Sequence, residues 1–239
     1  MKLPLGITSS WLAGMLALMV ITPVAAFDDE DYQQVNPDPW EPVNRVVFRF
    51  NDTLDTYALR PVAKGYDRMM PEFLNDGISN VFNNLGEPKN LLNNVLQGKI
   101  DDAGVDLARF LMNTTIGVVG IFDVATRMGL QRNDEDFGQT LGAWGLESGP
   151  YVMLPLFGPS TLRDGSAFAV EGLGGYNYGA QMDHVPSRNT AAAVDLVDTR
   201  AGLLSQERLI RGDKYRFIRN AWLQNREFKV KDGLVEDEF

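Results

Sequence analysis

From Phe137 to Asp164 the chain reads FGQTLGAWGLESGPYVMLPLFGPSTLRD, with glycines at 138, 142, 145, 149 and 158 and prolines at 150, 155 and 159. Proline lacks an N–H and glycine lacks a β-carbon, so no long regular element is expected here. Yet Leu141, Trp144, Tyr151, Val152, Met153, Leu154, Leu156 and Phe157 make the stretch too apolar for a solvated loop. A backbone bent that often and that apolar must pack against helices of the same chain, a partner or lipid. The expectation is a hairpin-like excursion from Pro150 to Pro159, buried or lipid-facing. Tyr151, Val152, Met153, Leu154, Leu156 and Phe157 are its candidate lipid-facing or gating residues.

Around this stretch the sequence is helical. Val43, Val46, Val47, Phe50, Leu54, Tyr57 and Ala58 follow the 3.6-residue period, and Arg60-Pro61 ends or bends that helix. A short helix is expected from Pro61 to Met70, then another carrying Leu74, Ile78, Val81, Phe82 and Leu85. Gly86-Glu87-Pro88 is expected to break the chain before a helix through Leu91, Leu92, Val95 and Leu96, stopped by Gly98. Asp101-Asp102 open a further helix, where the dipole favours negative charge, expected to bury Val105, Leu107, Ala108, Phe110 and Leu111. Beyond the Gly/Pro-rich centre come a loose helix over 166–175 and a loop over 177–188. A helix capped by Asn189 follows, and a last one starts near Asp213 with Arg216, Arg219 and Arg226 on a solvated face. No period-two alternation bounded by hairpin turns precedes the centre, so this half reads as all-α.

Chemistry is mostly absent. The chain holds no cysteine and one histidine, His184, so thiolate and His-cluster metal sites are excluded by count. Asp134, Glu135 and Asp136 lack the closing Glu of a calcium loop. Ser160 sits in Gly158-Pro159-Ser160, not in a nucleophile elbow, and has no base beside it in sequence. Arg163-Asp164 and Asp123 read as structural ion pairs. No catalytic, cofactor or metal residue is assigned. A net charge of −10 argues against nucleic acid as partner and against adhesion driven by anionic head groups.

The N-terminus reads as a signal peptide over 1–26: an apolar run from Trp11, Pro23, then Val24-Ala25-Ala26 before an acidic turn at Phe27. An uncleaved anchor is the alternative. The expected organisation continues with an acidic leader over 27–37, one helical domain over 38–230 and an acidic tail over 231–239.

Asparagine placement is the remaining anomaly, because Asn is a poor helix former. Asn80, Asn83 and Asn84, and Asn90, Asn93 and Asn94, recur at i, i+3, i+4 and draw a polar stripe opposite an apolar one. Caps and buried networks are one reading. The other is a set of helices polar inward and apolar outward, as lipid around a wet passage requires.

Short motifs in order resemble the VacJ/MlaA family: Asp38-Pro39-Trp40-Glu41-Pro42-Val43-Asn44-Arg45, Phe50-Asn51, Arg60-Pro61, Asn80, Asn83, Glu87-Pro88, Asn93 and Leu96-Gln97-Gly98. They continue with Arg109-Phe110, Asn113-Thr114, Asp123, Phe137-Gly138, Thr140-Leu141-Gly142, Gly149-Pro150-Tyr151, Leu154-Pro155, Gly158-Pro159 and Arg163-Asp164. The resemblance implies a single all-α domain, a ring-like assembly of amphipathic helices in the inner leaflet of the outer membrane. It implies an amphipathic channel, with Asn80, Asn83, Asn84, Asn93 and Asn94 as candidate lining. Misplaced outer-leaflet phospholipid would pass through it to a periplasmic lipid carrier, beside a trimeric porin partner, with no reaction catalysed. The family's members are usually lipoproteins, whereas this signal ends without a lipobox cysteine. Export to the periplasmic side of the outer membrane is therefore expected to rest on helices and partner. A soluble periplasmic lipid-binding or envelope assembly factor is the alternative, and a lipid hydrolase a more remote one.

Overall fold

A computed structural model describes residues 36–174 and 184–233. The signal peptide, most of the acidic leader and most of the acidic tail expected above lie outside the described residues, as does much of the expected 177–188 loop.

The chain from Pro37 onward forms one compact unit, and its described residues are helical apart from a two-stranded hairpin. Helix α1 (Glu41–Leu54) carries a proline in its first turn, where the missing N–H costs nothing. It does not stop at Arg60-Pro61. A π-helical turn over Asp55–Leu59 passes the chain into α2 (Arg60–Met69), with Pro61 in the first turn of the new segment. The wider turn accommodates the amide that Pro61 cannot donate, so the chain stays helical past the expected stop.

Helix α3 (Glu72–Gln97) runs unbroken through Gly86-Glu87-Pro88, contrary to the expected interruption. Pro88 itself is exposed, while the neighbouring Glu87 is fully buried with its carboxylate on Arg109 Nε at 2.7 Å. Tertiary pairing on the buried side outweighs the roughly 3 kcal/mol that an interior proline costs a helix. The stop at Gly98 is as expected: it adopts φ 78°, and the Gly98 and Lys99 amides close back onto Val95 and Asn94 carbonyls.

Helix α4 (Ile100–Thr115) packs along α3. Short α5 (Val124–Arg127) is capped by the Asp123 carboxylate on the Thr126 amide, and α6 (Phe137–Ala143) by Asp136 on the Gln139 amide. Strands β1 (Tyr151–Leu154) and β2 (Gly158–Thr161) pair antiparallel, Tyr151 opposite Thr161 and Leu154 opposite Gly158. Helix α7 (Leu162–Gly174) begins four residues earlier than its sequence suggests. Helix α8 (Val185–Gly202) starts with Pro186 in its first turn, not with Asn189 as cap. A 3₁₀ turn (Gln206–Leu209) leads to α9 (Lys214–Val230), where Asp213 caps the Tyr215 and Arg216 amides.

A small aromatic core joins three distant parts of the chain. Tyr151 and Met153 of β1 and Tyr215 of α9 are buried against Val47 and Phe48 of α1 and Trp222 and Leu223 of α9. Their rings meet edge to face, Phe48 with Tyr215 at 5.5 Å and Tyr151 with Trp222 at 6.2 Å.

A candidate functional site: polar interior, apolar exterior

The stripe that periodicity marks as the core of α4 is turned outward. Leu107 is 45% exposed and Leu111 52%, while Asp106 and Arg109 are at 0% and 1%. Of the residues expected to be buried, Val105, Ala108 and Phe110 are half-buried and Leu107 and Leu111 exposed, and full burial falls instead to Ala103, Asp106, Arg109 and Asn113. Helix α1 exposes Val43, Val46 and Phe50 and buries Asn44; α3 exposes Phe73, Leu92 and Val95 and buries Asn84, Glu87, Asn90, Asn93 and Asn94. Among the described residues, buried polar side chains outnumber buried apolar ones, and most of the latter are alanine. Periodicity locates a stripe but does not say which medium it faces.

What makes this interior possible is that most of its polar groups satisfy one another; among the described residues the buried Arg60 Nε, Asn75 Oδ1, Asn84 Oδ1 and Tyr151 hydroxyl are the atoms left without a partner. Arg109 donates to Glu87, to the Thr126 hydroxyl at 2.9 Å and to the Leu130 carbonyl at 2.6 Å. Asp106 accepts from Asn94 at 2.7 Å and from Asn133 at 2.8 Å. Burial pushes the Asp106 carboxyl above its usual range, against the pull of those two amides. Asn90 donates to the Asn133 carbonyl and accepts from the Glu135 amide. In this way side chains of α3 and α4 bond the mostly irregular segment between α4 and α6, which has almost no backbone ladder of its own.

The five asparagines singled out in sequence separate into two groups. Asn84, Asn93 and Asn94 are buried and bonded to protein: Asn84 donates to Thr114, Asn93 to the Lys89 carbonyl while accepting from Thr140, and Asn94 to Asp106. Asn80 and Asn83 are half-buried, and Asn80 donates to the Ile121 carbonyl at 3.1 Å.

Asn80 and Asn84 both reach the loop that follows α4. There Ile116, Val118, Val119, Ile121 and Phe122 are exposed, and Val118 and Val119 adopt φ 54° and 58°. Two successive β-branched residues in the left-handed region cost about 1–3 kcal/mol each and persist only when their surroundings force them. Gly117 and Gly120 are part of that forcing. A β-carbon on Gly117 would lie 2.2 Å from the Phe122 carbonyl oxygen, and one on Gly120 would lie 2.7 Å from Asn84.

The Gly/Pro-rich centre forms the expected hairpin. Tyr151 and Met153 are buried, Val152 and Leu154 half-buried, and Leu156 and Phe157 exposed at its tip, where the Phe157 ring meets Phe168 at 4.8 Å with a 54° tilt. Its free edge is closed by helix side chains, not by a third strand. Asn44 donates to the Tyr151 carbonyl at 3.0 Å and accepts from the Met153 amide at 2.9 Å. Asn51 does the same for the Leu154 carbonyl and Leu156 amide, at 2.9 and 2.8 Å. The spacing is geometrical: seven helical residues rise about 10.5 Å, close to the roughly 10 Å of three strand residues. Neither the family resemblance nor the period of α1 reveals this fit; the Asn-x6-Asn spacing was its only signal.

Behind the hairpin, Arg226 of α9 grips Asp136 at 2.6 and 2.7 Å and Asp164 at 2.9 Å, and Arg163 joins Asp164. The solvated arginine face expected for α9 holds only for Arg216, since Arg219 pairs with Asp38 and Glu41. Burial alone would raise the Asp136 carboxyl, but the Arg226 guanidinium overrides it and holds it far below the usual carboxylate range. Asp134 and Glu135 turn to other partners, Lys229 for the first and Gln97 and Lys99 for the second. Ser160 is buried and donates to the Thr161 carbonyl, whereas His184 is exposed and pairs with Ser187. An apolar groove of about 430 Å³ lies between α2 and α8, lined by Tyr66, Ala193, Val194 and Val197.

A helical protein with its charged and amide groups bonded inside and its apolar stripes outside belongs to the class built for apolar surroundings. The particular family follows from comparison: the model described as MlaA lipoprotein matches residues 36–229, and the chain belongs to that family. The intermembrane phospholipid transport system lipoprotein MlaA of Haemophilus influenzae is 33% identical over 235 residues, spanning 96% of this chain and 94% of that protein. The Escherichia coli K12 protein of the same description is 36% identical over 210 residues, 85% and 82% of the two chains. A solved structure described as "Structural basis for maintenance of bacterial outer membrane lipid asymmetry" superposes with TM-score 0.71 at 36% identity, over 81% of this chain and 98% of that one.

Proposed function

We propose that this chain is the outer-membrane component of an intermembrane phospholipid transport system, seated in the inner leaflet and removing misplaced phospholipid from the outer leaflet. The observation that carries this reading is the inverted polarity of α1, α3 and α4, which suits lipid on the outside and a head group within. The described relatives supply the cargo class. Among the described residues no helix is long and apolar enough to cross a membrane, in keeping with a seat in one leaflet.

Within this reading the head group follows polar side chains while the acyl chains keep contact with apolar surface. Asn80 and Asn83, still partly accessible, are the better candidates for the wall of the passage. Asn84, Asn93 and Asn94 brace it, since they are buried and each already donates to a neighbouring group of the protein. A periplasmic lipid carrier takes the cargo, and a trimeric porin is the membrane partner. No step breaks a covalent bond.

The test is a deletion strain scored for phospholipid at the cell surface with an amine-reactive probe. Loss of the chain should raise surface phospholipid and its return should reverse this. The double variant Asn80→Leu, Asn83→Leu should fail to reverse it while unfolding at nearly the normal temperature in detergent. Normal asymmetry in the deletion strain, or recovery of all the protein free in the periplasm, would overturn the reading.

A further inference from the structure

We propose that the π-turn between α1 and α2 is a phase-setting joint, clasped by the end of α8, which holds α1 in the rotation that brings its asparagines to the hairpin. The inference goes beyond the transport reading and is independent of the cargo. The turn is closed by the Arg60 amide on the Asp55 carbonyl, five residues back. Such a turn holds one residue more than an α-turn, so it offsets α1 from α2 by about 100° around the helix axis and about 1.5 Å along it. Counted at about 100° per residue with that one residue taken out, Asn44, Asn51 and the buried Ala63 fall within about 20° of one line. Counted through an unbroken helix, Ala63 would stand about 100° away.

Both ends of this rod are in use. Asn44 and Asn51 close the hairpin edge. On α2, Tyr66 donates to Asp198 of α8 at 2.9 Å, and Ser79 of α3 holds the other Asp198 oxygen at 2.6 Å. Helix α2 is thus tied to a fixed partner, and a change in the turn falls on α1. Side chains about 5 Å from the axis swing by about 8 Å on a rotation of about 100°, far outside hydrogen-bond reach of the strand.

A π-turn is rare and needs support from outside the helix. Here the support is ionic and comes from one place. Arg200, in the last turn of α8, grips Asp55 at the start of the π-turn at 2.6 and 2.9 Å and also pairs with Glu207 of the 3₁₀ turn. Glu207 accepts in turn from Arg60, the residue that follows the π-turn. The clasp therefore closes on both ends of the turn, and among the described residues the side chains of Arg200 and Glu207 bond only Asp55, Arg60 and each other. The turn between them is not locked by packing: Tyr57 is 81% exposed, and Arg60 Nε is buried without a partner. Pro61 alone would account for a wide turn but not for a clasp across it.

The test separates a joint from an ordinary stabilising ion pair. Amide exchange at Met153, which donates to Asn44, is compared with exchange along α4 in the full chain in detergent. Three variants are read: Arg200→Gln; a chain lacking Thr56 and carrying Pro61→Ala; and the two combined. Thr56 is exposed, and its deletion supplies the residue count of a regular α-turn, so the shortened chain keeps Asn44, Asn51 and Ala63 in line without the π-turn. Arg200→Gln should speed exchange at Met153 by about tenfold or more relative to α4. The shortened chain should exchange like the native one, and adding Arg200→Gln to it should no longer matter at Met153. Equal acceleration at Met153 and along α4 shows a general stabiliser and overturns the joint. So does unchanged exchange at Met153 in Arg200→Gln, or a combined variant as fast as Arg200→Gln alone. A shortened chain that exchanges fast or does not fold overturns it too. Should Arg200→Gln not fold, Glu207→Gln, which weakens the link to Arg60, is read against the same expectations.

Discussion

Asn44→Ala and Asn51→Ala remove the same chemistry from the same helix, yet their costs should differ severalfold. Asn44 is buried, and its loss leaves the Tyr151 carbonyl and the Met153 amide without a partner where water has little access. Each such orphan costs about 1–3 kcal/mol. The bond from Asn44 to Asp38 at 2.8 Å also goes, although Asp38 keeps Tyr215 and Arg219. Alanine returns about 0.5 kcal/mol of helix propensity, equally at both positions. The net loss for Asn44→Ala is then about 3–6 kcal/mol, and in a unit of this size it lowers the thermal midpoint by about 6–24 °C. Asn51 is half-buried and serves the Leu154 carbonyl and the amide of exposed Leu156, which water can reach, so Asn51→Ala should cost about 1 kcal/mol. Thermal unfolding in detergent followed by circular dichroism gives both numbers, and hydrogen exchange at the Met153 amide localises the first. Equal losses, or a loss below about 1 kcal/mol at Asn44, would refute the idea that helix amides close the edge of the hairpin.

Gly138→Ala should destabilise by about 3 kcal/mol, because its β-carbon would sit 2.4 Å from both Arg226 Nη2 and an Asp164 carboxylate oxygen, and Arg226 is fixed by two carboxylates; a change under 1 kcal/mol in a urea melt would count against the tightness of that cluster. Asp136 and Asp164 titrate below their unfolded range, so the stability they confer is complete above about pH 4 and drains away as pH falls through their folded values. Asp106 is shifted the other way and stabilises toward low pH, so the useful readout is the difference between the native chain and Arg226→Gln. That difference in thermal midpoint should be large at pH 7 and shrink below pH 4, and a constant difference would contradict the assignment.

Much of this architecture can be read from the chain. The helix start near Asp213, the stop at Gly98, the helix start at Asp101-Asp102 and the hairpin between Pro150 and Pro159 are local events, written in local residues. What could not be read depends on partners far away. Pro88 ought to break α3, and the helix survives because Glu87 meets an arginine on another helix. Arg219 and Arg226 look like solvated charge until acids near residues 38, 136 and 164 arrive beside them. The sense of each amphipathic helix was the deepest ambiguity, since Leu107 and Asp106 are adjacent in sequence and only the medium decides which one turns in. The asparagine stripe was visible; its division into bracing residues and accessible ones was not, because it turns on the irregular segment between α4 and α6.

The seam between α1 and the hairpin also has a consequence for the order of assembly. Its bonds join residues 103 to 109 positions apart, so Asn51 has no hairpin to close, and Asn44 no partner but Asp38, until nearly two thirds of the chain has been made. Contacts so remote carry a large closure entropy and form slowly, whereas the α3–α4 pair is local and can form at once. Helix α1 therefore emerges early and is locked late. During that interval its apolar stripe and its asparagines both stand open, and a nascent chain in that state is a natural client for a holding chaperone.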